Sequence, residues 1–175
     1  MITFFKHRPQ IFVGVIATII SVLAWAIFYR LDLTLNYNDA MSHLNVARLV
    51  VDNLQPGMSQ LGSVWLPMSH LLTLPFIWND FLWHTGLAGS IISMGSFILS
   101  AIGVYKIIIL LVESKWAGVL GALAFTVCLN MLYLQATPLT EALYVVAFIY
   151  TMLYLIKYLR YDLSKSLIAL GAISA

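Results

Sequence analysis

Long apolar runs constrain this sequence more than any other feature. The first run covers residues 11–29, which are 19 residues without a charge, and a helix needs roughly 20 apolar residues to cross the hydrocarbon core of a bilayer. The whole chain is 62% hydrophobic and only 9% charged, whereas a soluble domain covers its core with a charged shell. The sequence therefore predicts an all-α, polytopic transmembrane helical bundle.

The predicted bundle has about four spans and a truncated fifth. The predicted spans are residues 11–29, 86–111, 116–136, 140–159 and, cut off by the end of the sequence, 166–175. We expect residues 1–175 to be the N-terminal part of a single membrane domain. A loop of residues 30–85 separates the first two spans, and it carries four of the seven acidic residues and three of the four histidines.

Basic residues predict how the spans are oriented. Lys6 and Arg8 precede the first span, and Lys115 and Lys157 lie at helix ends that should share that side. The positive-inside rule then places the N-terminus in the cytoplasm and loop 30–85 on the external face of a plasma (inner) membrane. The first span is too long for a typical signal peptide and lacks a clear cleavage site, so we expect it to be retained.

Composition also argues against several classes of protein. The formal net charge is only +2 and no basic run is present, so nucleic acid is not an expected partner. A single cysteine, Cys128, supports neither a disulfide framework nor a cysteine metal site. The sequence contains no phosphate-binding glycine loop, nucleophile elbow or zinc-protease motif. The remaining chemistry is that of carboxylates, histidines and arginines, which suits a lipid-linked polar substrate.

Two short helices are predicted within loop 30–85. The first covers residues 39–54, ends at Pro56-Gly57 and has an apolar stripe typical of a helix lying on the membrane surface. On it, Asp39 and His43 share one face at a spacing of four residues. Asp39 alone suits a helix cap; together the two side chains suit an acid/base pair or ligands for a divalent metal ion. The second helix lies in the run 65–78, which is too short to span easily.

Other polar residues are candidates with simpler alternatives. Glu141 begins the 140–159 span, where it either complements the helix dipole or serves a polar site. His70 could be a headgroup-level polar residue instead of a ligand. Arg48 could bind phosphate, although an ion pair with Asp52 is the simpler account. We place His43, Arg48, Trp65 and His70 as candidate substrate-binding residues, and Asp39 and Glu141 as candidate catalytic residues.

Three strings in the sequence resemble a known family. They are Tyr37-Asn-Asp-Ala-Met-Ser-His43, Gly62-Ser-Val-Trp-Leu-Pro-Met-Ser-His70 and Thr137-Pro-Leu-Thr-Glu141. Together with the order of spans, they resemble the GT-C superfamily of membrane glycosyltransferases, in particular family-39-like members, protein O-mannosyltransferases and the aminoarabinose transferase.

The resemblance implies a sugar donor carried on a polyprenyl phosphate and transfer at the external face. It assigns to Asp39 the role of catalytic base or metal ligand. Many family members carry a second acidic residue beside the first, whereas here Ala40 follows Asp39. Glu141 is therefore the candidate second carboxylate, and a divalent metal is the one cofactor to consider.

Two other classes of function remain open from the residues alone. A transporter would line a polar pathway with Asp39, His43 and Glu141, but its charges usually lie near the bilayer midplane. A non-catalytic membrane scaffold would tolerate replacement of both carboxylates. The concentration of polar residues at one interface favours an enzyme.

Overall fold

The computed structural model describes residues 9–61, 65, 67–161 and 171, and this part of the chain is helical without strands. Its α-helices are α1 (Pro9–Arg30), α2 (Asn38–Leu49), α3 (Met68–Ile77), α4 (Asp80–His84), α5 (Leu87–Val112), α6 (Lys115–Thr126), α7 (Leu129–Ala136) and α8 (Glu141–Tyr161). A single 3₁₀ turn, Met58–Gln60, lies between α2 and α3. The all-α prediction is confirmed for these residues.

Three helices, α1, α5 and α8, are long and apolar enough to cross a membrane. They contain 22, 26 and 21 residues, and their bounds differ from the predicted spans 11–29, 86–111 and 140–159 by one or two residues at each end. Their side chains are apolar almost all round, as expected of helices whose solvent is lipid. These helices indicate a membrane protein.

The predicted span 116–136 is wrong as one continuous helix. It is divided into α6 and α7, which meet at an angle of 63°, so the described chain has three candidate spans, or four if this bent pair counts as one. The hydroxyl of Thr126 donates to the carbonyl of Leu123 at 2.8 Å, and Cys128 has extended backbone angles. The hydropathy of the sequence does not predict this break, because both helices and the residues between them are apolar. The predicted fifth span, 166–175, lies outside the described residues except for Gly171.

Helix α5 is the centre of the bundle and packs against α1, α6, α7 and α8. Small residues bring the backbones together: a Cβ at Gly103 would lie 2.5 Å from the Ile149 side chain, and one at Gly121 would overlap that of Ile108. Close approach through small residues is the usual basis of helix association in membranes.

A buried polar link joins α7 to α1. Ser21 donates to the Gln135 side-chain oxygen at 2.5 Å, and the Gln135 amide donates to the Ser21 carbonyl at 3.3 Å. Both side chains are fully buried. In a lipid environment such a pair holds helices together because neither group can turn to water instead.

The two ends of the bundle carry different residues. At one end, which we call the loop end, lie α2, α3, α4 and the segment 137–140. At the other, the basic end, Arg160 near the end of α8 pairs with Glu113 after α5 at 2.6 Å, close to Lys106, Lys115 and Lys157.

The predicted surface helix 39–54 is shorter than expected. Its stripe residues Ala40, Leu44 and Ala47 are buried, but α2 ends at Leu49 and Leu54 is fully exposed. The second predicted short helix is α3, and its ten residues agree with the expectation that it is too short to span.

Candidate functional site

A pair of histidines lies in contact at the loop end. Nδ1 of His43 on α2 and Nε2 of His70 on α3 are 3.0 Å apart, which is a hydrogen-bond distance. The side of α2 that bears Ala40, Leu44 and Ala47 is buried, and His43 shares this side. His43 is 8% exposed and His70 only 1%, so the pair reaches from near the surface into the interior.

Trp65 covers the outer side of this pair. Its ring centroid lies 4.7 Å from that of His43, with the planes inclined by 51°, and Trp65 is itself 37% exposed. Three of the four predicted substrate-binding residues, His43, Trp65 and His70, are therefore neighbours. An exposed aromatic ring beside a polar pair is an arrangement that can bind the apolar face of a sugar.

The two predicted catalytic carboxylates act on the same imidazole. Asp39 lies in the first turn of α2 and Glu141 in the first turn of α8, and both are exposed. Burial lowers the pKa of His43 below its ordinary value, while the negative charges of Asp39 and Glu141 oppose that shift. The charges of two residues about a hundred positions apart in the sequence therefore act on one side chain.

A small cavity of about 20 Å³ lies behind the histidine pair. Ser69, His70 and Thr73 of α3 line it on one side, and the segment 138–140 before α8 lines it on the other. A cavity of this size holds about one water molecule or one hydroxyl group.

Two polar atoms beside this cavity have no partner. Ser69 Oγ and His70 Nδ1 are buried and make no hydrogen bond in the described part of the chain. Leaving a buried polar atom unsatisfied costs about 1–3 kcal/mol, so a polar guest is favoured there. Our interpretation of the sequence missed Ser69 and Thr140. Each adjoins a residue that we singled out, His70 and Glu141.

Helix α5 holds the segment 137–140 in place. The hydroxyl of Ser90 donates to the Ala136 carbonyl at 2.9 Å, and that of Ser93 donates to the Leu139 carbonyl at 3.1 Å. Gly89 allows close contact, since a Cβ there would lie only 3.0 Å from the Pro138 Cα. The wall of the cavity that precedes Glu141 is therefore fixed by hydrogen bonds and close packing.

Arg48, the fourth predicted substrate-binding residue, is engaged elsewhere. Its guanidinium pairs with Asp52 at 2.9 Å and Asp80 at 2.8 Å, donates to the Ile77 carbonyl at 2.9 Å and lies 4.6 Å from the Trp83 ring centroid. The simpler expectation, a pair with Asp52, is confirmed. Arg48 ties α2 to α3 and α4, and it does not line the cavity.

The predicted metal ligands were Asp39 and His43. Within the described residues, no three or more histidine, cysteine, aspartate or glutamate side chains are grouped so that they could hold a metal ion. Nδ1 of His43 faces His70 instead. The metal site at Asp39 and His43 therefore stays a prediction.

No family model, curated protein or solved structure matches this chain. The resemblance to GT-C glycosyltransferases therefore stays a prediction. A function more specific than that of a membrane protein therefore has to be argued from the residues of the loop end.

Proposed function

We propose that this chain belongs to an enzyme that transfers a sugar from a polyprenyl-phosphate donor to an acceptor at the loop end of the bundle, on the external face of the membrane. One observation carries the proposal. The exposed carboxylates Asp39 and Glu141 come from separate helices, and the charges of both act on His43, whose Nδ1 lies 3.0 Å from His70 Nε2.

The proposed reaction requires a base beside the acceptor. The acceptor hydroxyl oxygen bonds to the anomeric carbon of the sugar, and its proton passes to a carboxylate, for which Asp39 is our candidate. The bond between that carbon and the phosphate oxygen breaks, and polyprenyl phosphate leaves with the electron pair. Glu141 is the candidate second carboxylate, which would orient the acceptor or the sugar through hydrogen bonds.

The leaving phosphate carries negative charge, which an enzyme usually stabilises with cationic groups. Arg48 is a poor candidate because two aspartates already hold its guanidinium. We assign no step to a metal ion. Trp65, whose ring contacts His43 and is partly exposed, supports sugar binding in this proposal.

A transporter is the second candidate, and the break between α6 and α7 favours it. Transporters often bind substrate where a membrane helix is interrupted, and α7 carries the fully buried polar residue Gln135. Against this, Gln135 already hydrogen-bonds to Ser21 and to the Leu132 carbonyl. Its polar atoms serve helix packing.

The proposal is tested with the full-length protein reconstituted in lipid and supplied with a radiolabelled polyprenyl-phosphate sugar. Asp39→Asn should lower the transfer rate at least about 100-fold, since positioned acid/base groups contribute 10²- to 10⁴-fold. Glu141→Gln should also lower it strongly. Asp32→Asn is the matched control: Asp32 is another exposed aspartate of the same loop, and its positive φ suits asparagine.

Full activity of Asp39→Asn would overturn the assignment of Asp39. A transporter would instead carry a labelled solute across sealed proteoliposomes without forming a glycosidic bond. A scaffold would do neither and would tolerate both substitutions.

A further inference from the structure

An opening between three helices at the basic end contains two lysines. Gln10 of α1, Lys106 of α5 and Lys157 of α8 line it, together with Tyr105, Ile109 and Leu110, and it measures about 300 Å³. Lys106 lies six residues before the end of α5 and Lys157 four residues before the end of α8. Both are half-buried, as is usual for lysines whose apolar stems lie along a helix while the ammonium group extends toward a polar region.

The two ammonium groups are held on a pair of tyrosines. Lys106 Nζ lies 5.8 Å from the Tyr150 ring centroid, and Lys157 Nζ lies 5.3 Å from that of Tyr154. Tyr150 and Tyr154 are one turn apart on α8, with ring centroids 6.4 Å apart. Cation–π contacts fix the direction of each lysine but leave its full positive charge in place.

No carboxylate neutralises these lysines in the described part of the chain. The ion pairs found there are those of Arg48 with Asp52 and Asp80, and of Arg160 with Glu113. Glu113, the acidic residue at the basic end among the described residues, is thus already paired. Two half-buried positive charges facing one opening attract an anion, because charges withdrawn from water are costly without a counter-charge.

We propose that this opening binds the phosphate headgroup of an anionic phospholipid. The apolar side chains Ile109 and Leu110 line the same opening, so a lipid can place its phosphate against the lysines and its first methylenes against α5. Basic pockets between membrane helices are suited to such headgroups. The site lies at the end of the bundle opposite Asp39 and Glu141, and it does not depend on the proposed glycosyl transfer.

Lipid titration by native mass spectrometry tests the proposal on the full-length protein. Phosphatidylglycerol should bind more tightly than phosphatidylcholine of the same chain length. A lysine near a membrane surface contributes about fivefold to such binding, so the double variant Lys106→Gln/Lys157→Gln should lose most of the preference. Lys115→Gln, which removes a charge from the same end outside the opening, should keep it.

Two further experiments are needed. One distinguishes loss of charge from loss of folding, and the other distinguishes binding of a lipid from binding of a free anion. Lys106→Arg/Lys157→Arg keeps both charges and should retain the preference, even if the glutamine variant proves too unstable to measure. Inorganic phosphate at millimolar concentration should not displace phosphatidylglycerol, because it lacks the acyl chains. Displacement by inorganic phosphate would overturn the headgroup assignment in favour of a soluble anion. An unchanged lipid preference in the glutamine variant would show that the lysines only extend to the membrane surface, and would overturn the site itself.

Discussion

The two ends of this bundle use polar residues in opposite ways. At the loop end, histidines and serines are buried among helices, and their atoms contact each other or face a cavity of about 20 Å³. At the basic end, long cationic side chains lie over tyrosine rings and face an opening of about 300 Å³. The first arrangement suits a small, defined polar group, and the second suits a large charged one. Fold stability should therefore depend on the polar residues of the loop end far more than on those of the basic end.

The largest effect should come from removing the deeper histidine. His70→Ala deletes a side chain that is 1% exposed and leaves His43 Nδ1 without its partner. We expect a loss of about 2–5 kcal/mol in the free energy of unfolding, as for other large-to-small substitutions in a core. Thermal unfolding in detergent measures it, with Lys106→Ala as the counterpart at the basic end. Equal losses for both variants would contradict the prediction that stability depends more on the polar residues of the loop end than on those of the basic end.

The close contact that supports the cavity wall should be nearly as sensitive. Gly89→Ala places a methyl group against the Pro138 ring, 3.0 Å from its Cα, so we expect a cost of about 1–3 kcal/mol from overpacking. Gly95→Ala on the same helix meets nothing within 4 Å and should be neutral or stabilising by up to about 1 kcal/mol. Unfolding midpoints of the two variants give the comparison. Equal effects would show that the segment 137–140 is free to move.

Acid should weaken the loop end through its histidines. Burial lowers the pKa of His43 and of His70, and the proximity of His43 adds to the shift for His70. The unfolded chain, with a histidine pKa near 6.5, then binds more protons than the folded chain below that pH. Stability is fully present above about pH 6.5 and falls as the pH drops toward the folded pKa values, by at most about 1.4 kcal/mol per pH unit for each histidine.

Unfolding midpoints measured between pH 5 and 8 check this dependence. His70→Gln should flatten the profile, because it removes one buried histidine and its contact with the other. His84→Gln, which alters an exposed histidine at the same end, should leave the slope unchanged. A wild-type profile that is flat across this range would contradict the prediction.

The smallest effect should come from the ion pair at the basic end. Arg160 and Glu113 have side chains that are 39% and 76% exposed, and exposed pairs typically contribute about 0–1 kcal/mol. Glu113→Gln should therefore change the free energy of unfolding by less than about 1 kcal/mol. Arg48→Gln at the loop end should cost more, because Arg48 is only 15% exposed and joins three helices. A larger loss for Glu113→Gln than for Arg48→Gln would contradict the proposed difference between the two ends.

The sequence was sufficient to predict the features that depend on local periodicity. The apolar runs predicted α1, α5 and α8 to within two residues at each end, and the helical spacing placed Asp39 and His43 on one face of α2. Arg48 and Asp52, four residues apart, were predicted to pair. Each of these depends on neighbours within one or two turns.

The remaining features depend on packing between distant segments. His43 meets His70 across 27 positions, and Asp80 joins Arg48 from another helix, so neither partner could be predicted from spacing. The break between α6 and α7 occurs without proline or glycine between Thr126 and Leu129, and an apolar composition suits both a straight and a broken helix. Lys106 and Lys157 are 51 positions apart and line one opening only because α5 and α8 pack together.

The hydrogen bonds between Ser21 and Gln135 have a consequence for how the protein is assembled. Ser21 lies in the middle of α1, and its partner comes 114 residues later. The Ser21 hydroxyl therefore lacks its partner Gln135 until α7 has been synthesised and has packed against α1. Because Thr137 and the segment that faces the histidines come directly after α7, we expect the candidate site to form late, after the earlier helices have entered the membrane. A nascent chain released before residue 135 would contain Asp39, His43 and His70 but would lack the wall that completes their cavity.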